Sequence, residues 1–255
     1  MSSHRDRIVD QFTRQAIPFS TAPGIRDEAA LQRLVALSGA GTDDIVLDVA
    51  CGPGLVVCAF ARVARHVTGI DVTAAMLERG AALATQAGLD NVTWRQGDVL
   101  PLPFDDAVFS IVVSRFAFHH FEDPGAVLAE MRRVCRPGGR VVVYDLLAAD
   151  DAAKAAAFHR LEMLRDPSHV RALRGDEITA LFPAVGLPAP DVTHAPLEFE
   201  LEEMMSRSFP RPEDVPTIRA TYLASLDDDA LGLGTHRAGD QVRAAYRTAI
   251  FTATR

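Results

Sequence analysis

The stretch LDVACGPG, residues 47–54, decides the fold. It joins an apolar run, DIVLDVA at 44–50, to a helical pattern, LVVCAFARVAR at 55–65. Such a succession reads as strand, turn and helix. At the turn the helix N-terminus leaves backbone N–H groups unpaired and carries partial positive charge. Gly52 and Gly54 lack a Cβ, so a ligand can come close to the backbone there. The stretch reads as a ligand-binding turn; a tight turn without a ligand is the competing reading.

Its glycines do not follow the dinucleotide fingerprint GxGxxG. The spacing is Ala50-Cys51-Gly52-Pro53-Gly54, with Asp48 just before it. A carboxylate next to a pyrophosphate adds repulsion, whereas the same carboxylate suits a cationic ligand.

Outward from the turn, strands are expected at HVTGID (66–71), NVTWRQGD (91–98), AVFSIVVSRF (107–116) and RVVVYDLL (140–147). Helices are expected at 27–41, at 74–89 and at 125–139, the last closed by Pro137-Gly138-Gly139. Strand and helix alternating this often imply a doubly wound α/β fold with a mostly parallel sheet. After Asp150 the pattern loosens. Helices are expected at 151–165 and 175–187, the second capped by Asp176, and strands at 191–201 and 246–255. Between those strands, 202–240 reads as a helical insertion on the carboxyl edge of the sheet.

The 255 residues are 48% hydrophobic, enough for one domain with a sizeable core. The expected division is an N-terminal helical cap at 1–40, a ligand-binding core at 41–150 and a C-terminal half at 151–255. No run of about 18 uncharged apolar residues is present, so no membrane span is expected. The N-terminal stretch MSSHRDRIVDQF has no apolar leader core, and Cys51, Cys58 and Cys135 form no CxxC pair. Both features fit a cytoplasmic protein with reduced thiols. A net charge of −8 argues against nucleic acid as the main partner.

Two further acids sit at expected strand ends. Asp71 closes HVTGID, where a ribose-binding carboxylate belongs in a Rossmann-like domain. Asp98 closes WRQGD, where it can accept from an adenine amino group. Each alone is readily a helix cap; with Asp48, three acids at consecutive strand ends line one crevice.

On these residues the chain resembles a class I S-adenosylmethionine-dependent methyltransferase, of the ubiquinone/menaquinone-biosynthesis-like small-molecule group. The motifs are VLDVACGPG (46–54), VTGIDVTAAMLERG (67–80), GDVLPLPFDDAVFSIVVS (97–114), FHHFEDP (118–124) and RVCRPGGRVVV (133–143). Ala50 stands where the family has its first glycine. The resemblance implies a Rossmann-like seven-stranded sheet with the last strand antiparallel, and S-adenosyl-L-methionine as cofactor, leaving as S-adenosyl-L-homocysteine. It implies that Asp48, Ala50, Cys51, Gly52 and Gly54 cradle the methionine part and that Asp71 holds the ribose. Val72 and Met76 would pack near the adenine, Gly97, Asp98 and Val99 would meet its edge, and Ser114 and Arg115 would face the sulfonium end.

Methyl transfer from a sulfonium is a direct displacement, so the protein mainly aligns the acceptor and excludes water. A base is required only where the acceptor must first lose a proton. His119 and His120, after the fourth strand, are the candidate catalytic residues, with His119 preferred; a purely structural histidine is the alternative. Tyr144, and Asp145 beside it, are candidate walls. His169 and Arg171 are candidate substrate contacts in RDPSHVRALRGDE (165–177). Phe12 and Phe19, in QFTRQAIPFS (11–20), read as an apolar lid or equally as core anchors. No metal-ligand spacing is legible. Transfer to an O, N or C atom of a small organic acceptor is the leading expectation. A non-catalytic binder of the same cofactor and an NAD-dependent oxidoreductase remain the alternatives.

Overall fold

In the computed structural model, which describes residues 3–22 and 24–255, the opening stretch lies at the centre of the sheet. The first strand, β1 (Ile45–Val49), is buried on both faces, as its apolar residues require. It pairs in parallel with β2 (His66–Asp71) on one side and with β4 (Phe109–Arg115) on the other. β3 (Val92–Gln96) lies outside β2, and β5 (Cys135–Leu146) beyond β4. Two later strands complete seven, β6 (Asp191–His194) and β10 (Thr248–Thr254), in the order β3-β2-β1-β4-β5-β10-β6. β10 runs antiparallel to both its neighbours, as the resemblance implies.

Side chains of successive strand residues point to opposite faces. Val46, Val67, Ile111, Val113 and Ile250 pack under α2 (Glu28–Ser38), α3 (Leu55–Ala61) and α4 (Ala74–Gln86). Leu47, Val49, Val112, Val141, Val143 and Phe251 pack under α5 (Pro124–Val134) and α7 (Gly175–Ala184). The order reverses between β1 and β4, which opens a crevice at their carboxyl ends. Over that crevice lies α1 (His4–Thr21), capped by Ser3, packed on α4 and tied to it by Arg79 Nε donating to Ser20 Oγ at 2.7 Å.

The C-terminal half departs from the expected elements. The single strand expected at 191–201 is two strands in different sheets. Pro196, which has no N–H to offer a ladder, lies between β6 and β7 (Leu197–Glu200). The segment 202–240 holds helices as expected, α8 (Leu201–Arg207) and α9 (Val215–Asp228), after α6 (Ala152–Arg165). Its last residues instead begin a hairpin of β8 (His236–Ala238) and β9 (Gln241–Tyr246), which joins β7 in a second sheet ordered β7-β9-β8. Ala238 pairs with Gln241 across a two-residue Gly239-Asp240 turn, with φ +62° at Gly239. The last strand therefore starts at Thr248, not 246. Pro137-Gly138-Gly139 does not close a helix: α5 ends at Val134, and these residues form the irregular start of β5, with Gly138 at φ +74°. Nor does Asp176 cap α7; it lies within the helix, and Glu177 accepts the Arg174 backbone N–H at 2.8 Å. A third apolar cluster, including Phe158, Met204, Tyr222 and Tyr246, joins α6, α8, α9 and the small sheet beside the crevice. No helix among the described residues is long and apolar enough to cross a membrane.

Candidate active site

Between β1 and α3 the chain enters the left-handed region at alternate residues: Ala50 (φ +56°), Gly52 (+50°) and Gly54 (+74°). This zigzag turns backbone N–H groups inward. The Cys51 N–H donates to Ile70 O at 2.9 Å, and the Gly52 N–H donates to Asp71 Oδ2 at 2.8 Å. The other Asp71 oxygen accepts the Thr73 N–H, also at 2.8 Å, at the start of α4. One carboxylate thus holds the loop to the end of β2 and fixes the next helix. A Cβ on Gly52 would meet no protein atom within 4 Å, so that residue faces open space. Gly54 is different: a Cβ there would run into the Trp94 ring, so it serves close packing rather than ligand approach.

The open space is a cavity of about 380 Å³. Of the residues singled out in the sequence, Asp48, Ala50, Cys51, Gly52, Asp71, Val72, Met76, Asp98, Val99, Arg115, His120, Phe12 and Phe19 line it. Gly54, Gly97, Ser114, Tyr144, His169 and Arg171 do not. Gly97 packs against Ile70, and the Ser114 hydroxyl donates to Val49 O at 2.9 Å inside the sheet. Tyr144 is buried with its ring 4.7 Å from that of Phe116. Arg171 is a surface residue paired with Glu177 at 2.9 Å.

Asp48 is fully enclosed, and neither carboxylate oxygen has a hydrogen-bond partner. Burial, and then the Asp71 charge, push its carboxyl well above the usual carboxylate range. Such a group favours a cation placed beside it. Arg115 helps from one side, and its Nε and Nη2 are themselves buried without a partner. Its Nη1 donates to Ile25 O at 3.0 Å, and its guanidinium lies 4.4 Å over the Phe116 ring. Asp98 sits at the rim, accepting the Val99 N–H at 2.7 Å and facing Arg5 of α1 at 3.7 Å.

Beside the cavity is a smaller chamber of about 80 Å³. The two share Phe12, Phe19, Ile25, Phe116 and His120 as walls. His119 lines the chamber and not the cavity. Its Nδ1 lies 2.5 Å from Asp145 Oδ1, which leaves Nε2 as the nitrogen without a protein partner. Asp145 is itself fixed: Oδ2 accepts the Phe118 N–H at 2.7 Å and Oδ1 the Leu146 N–H at 2.6 Å. Burial opposes charge on the His119 ring, but the Asp145 carboxylate outweighs it and raises the imidazole above its ordinary value. His120 is the reverse case. Burial and then the His119 charge push it down to about 4, and its Nδ1 lies 3.0 Å from Ser168 O. His169 is enclosed 5.6 Å from the His119 ring, with both nitrogens unpartnered, and burial drives its pKa far down. It lines neither the cavity nor the chamber. These histidines do not converge as ligands; among the described residues no group of three or more His, Cys, Asp or Glu is placed to hold a metal.

Several walls carry no signal in the sequence. Phe116 holds φ +56°, a conformation unusual for an aromatic residue, and divides the cavity from the chamber. Arg5 and His4 come from α1, where His4 Nε2 lies 2.7 Å from His120 O. Asp145, expected as a wall, lines neither compartment; it is buried behind His119, and the sequence carries no signal of that bond.

A family model of a methyltransferase domain matches residues 47–143. The uncharacterized methyltransferase YcgJ of Bacillus subtilis is 33% identical over 185 residues, 72% of this chain and 73% of that protein. UbiE of Bdellovibrio bacteriovorus, a ubiquinone/menaquinone biosynthesis C-methyltransferase, is 39% identical over 116 residues, 45% of this chain and 49% of that one. The crystal structure of YcgJ is similar to this structure with a TM-score of 0.82 at 25% identity, covering 89% of this chain and 98% of that one. The chain belongs to this methyltransferase family.

Proposed function

We propose that the chain methylates an O, N or C atom of a small organic acceptor, with S-adenosylmethionine as the donor. The observation that carries the reading is the junction of two compartments: a cavity floored by the unpartnered Asp48 carboxylate shares five walls with a chamber lined by His119, whose ring Asp145 holds from behind. When bound, S-adenosylmethionine supplies a methyl group already activated by the positive charge on its sulfur.

The residues present fit that cofactor. Asp48 offers the countercharge, and the open space beside Gly52 lets a ligand reach the backbone. Asp71 retains lone pairs for hydroxyl donors after accepting two N–H groups. Val72, Met76 and Val99 give an apolar slot for a base, with Asp98 at its edge. In the chamber, His119 Nε2 takes the proton of an acidic O–H, N–H or C–H as the acceptor reacts. Asp145 positions the ring and stabilises its charged form. Phe12, Phe19 and Phe116 keep water from the junction.

Calorimetry with S-adenosylhomocysteine and NAD, followed by a metabolite screen with methyl-labelled donor, tests the reading. Tight binding of the first and label transfer to a small molecule are expected. Binding of NAD alone overturns the reading, and cofactor binding without label transfer to any acceptor makes the chain a binder rather than an enzyme.

A further inference from the structure

We propose that the methyl acceptor is a small organic acid whose carboxylate docks on Arg207, with its apolar body against Phe12, Phe116, Leu146 and Met204 in the chamber. The inference rests on the reading that the chamber takes the acceptor.

Three charged side chains line the chamber besides the histidines: Arg165, Arg207 and Asp166. Their commitments differ. Arg165 is used up: Nε and Nη2 donate to the fully buried Glu162 at 3.0 and 2.5 Å, and Nη1 donates to Ser208 Oγ at 3.2 Å. Asp166 is engaged at one oxygen, Oδ1, which accepts both the Ser168 N–H at 2.9 Å and its hydroxyl at 2.5 Å. Arg207 is the cation with donors to spare. One nitrogen, Nη1, donates to Glu203, whose side chain is 38% exposed, while Arg207 itself is only 14% exposed.

A guanidinium carries five donors in a planar fork. Most of the Arg207 fork is therefore without a protein partner, on a side chain that lines the chamber. Burial, offset in part by Glu203, pushes the Arg207 pKa down, and the neighbouring Arg165 adds like-charge pressure. Glu162 neutralises Arg165, and Glu203 meets only one Arg207 nitrogen; neither Glu lines the chamber, so Arg207 is left with donors that no acceptor matches. A ligand carboxylate relieves that imbalance through a bidentate, charge-assisted pair, which a neutral amide of the same shape cannot form. The remaining walls are apolar or aromatic and call for a hydrocarbon body.

The test is calorimetric titration into the full chain saturated with S-adenosylhomocysteine, using benzoate against benzamide and hexanoate against hexanamide. At least one acid is expected to bind about ten-fold or more tightly than its amide. Arg207→Met should bring that ratio to about one and leave S-adenosylhomocysteine affinity unchanged, which also reports that the variant is folded. Arg207→Lys, retaining the charge, should keep part of the preference. Two outcomes overturn the inference while leaving the proposed function intact: amides that bind as well as the acids or acids that do not bind, and an acid preference that survives Arg207→Met. Failure of S-adenosylhomocysteine itself to bind overturns the proposed function instead.

Discussion

The cavity around Asp48 and the chamber around His119 share walls but are assembled in different ways. The cavity draws on the ends of β1, β2, β3 and β4, each following its strand directly. Its key groups, Asp48, Gly52, Asp71 and Asp98, lie within 51 residues of one another, and the Gly52 N–H donating to Asp71 ties the turn to the end of β2. The chamber is gathered from α1, the turn after β4, the end of β5, the end of α6, α8 and β9. No two of those segments are joined by a motif. Parallel-sheet topology builds the floor of the first compartment, which α1 only covers, while long-range packing of helices on the sheet edge builds the second. The first suits a ligand common to a family, and the second an acceptor particular to this chain.

Replacing His119 gives the largest expected separation between the two compartments. His119→Ala should lower turnover about 100- to 10,000-fold while cofactor affinity stays as it is. The assay is labelled-methyl transfer to the acceptor that the screen identifies, beside calorimetry with S-adenosylhomocysteine. The raised His119 pKa sets the pH dependence. A base works only when deprotonated, so turnover should climb as pH rises through a limb above the ordinary histidine value of 6.5. Asp145→Asn removes the carboxylate that raises it, so the limb should move to lower pH as turnover falls. A structural role for Asp145 alone would leave that limb in place.

Legibility followed the same division. The central strands β1 and β4 were readable because buried parallel strands are continuous apolar runs, such as Phe109–Arg115, bounded by turn residues. The acids were readable because each stands where such a run stops. The small sheet was not readable. Gln241–Tyr246 alternates between exposed and buried over only six residues, and its partner β7 lies some forty residues earlier, at Leu197–Glu200. The Gly239-Asp240 turn was the one local signal there, and the helical reading of 202–240 passed over it. His169 stood in a plausible substrate loop, yet its ring turns into the protein beside His119 and His159. Arg207 follows an ordinary helical pattern, and nothing in its neighbours says that it faces a chamber.

Gly54→Ala probes what the cavity needs from packing rather than from ligand contact. A Cβ at Gly54 would collide with the Trp94 ring, and φ +74° is strained for any other residue. Strain of roughly 1–2 kcal/mol and overpacking of roughly 1–3 kcal/mol both act against the fold. Set against a gain of about 0.4–1 kcal/mol from the stiffer unfolded chain, thermal unfolding should show a loss of about 1–4 kcal/mol. A loss near zero would show that Trp94 moves aside freely.

Asp71→Ala and Asp48→Asn sharpen the comparison from the cofactor side. Removing a charged acceptor typically costs roughly 1.5–3 kcal/mol, so either should weaken S-adenosylmethionine binding on the order of 10- to 100-fold. The two differ in pH behaviour. Burial and Asp71 keep Asp48 protonated well above the usual carboxylate range in the free protein. A bound cation favours its ionised form, so binding releases a proton wherever Asp48 starts protonated. Affinity should therefore rise with pH through that range and then level off, and Asp48→Asn should flatten the curve. Asp71→Ala should lower the affinity and move the rise to lower pH, because the Asp71 charge that helps to raise the Asp48 carboxyl is gone.

The smallest effect concerns the residue that breaks the glycine spacing. Ala50 holds φ +56°, a conformation that costs a residue with a Cβ roughly 1–2 kcal/mol. Ala50→Gly relieves that strain. It also gives the unfolded chain more freedom, which costs about 0.4–1 kcal/mol. The first term is the larger, so the variant should be more stable by on the order of 0.5 kcal/mol, a rise of about 1–2 °C in Tm for a chain of this size. Ala50 lines the cavity, so removing its methyl group also widens the space beside Gly52. Cofactor affinity should change by less than about three-fold, because the N–H groups that form the turn are kept. A destabilised variant would mean that the Ala50 methyl group packs more favourably than its strained backbone costs. Then the missing glycine would be a feature of the loop's packing rather than a strain the fold tolerates.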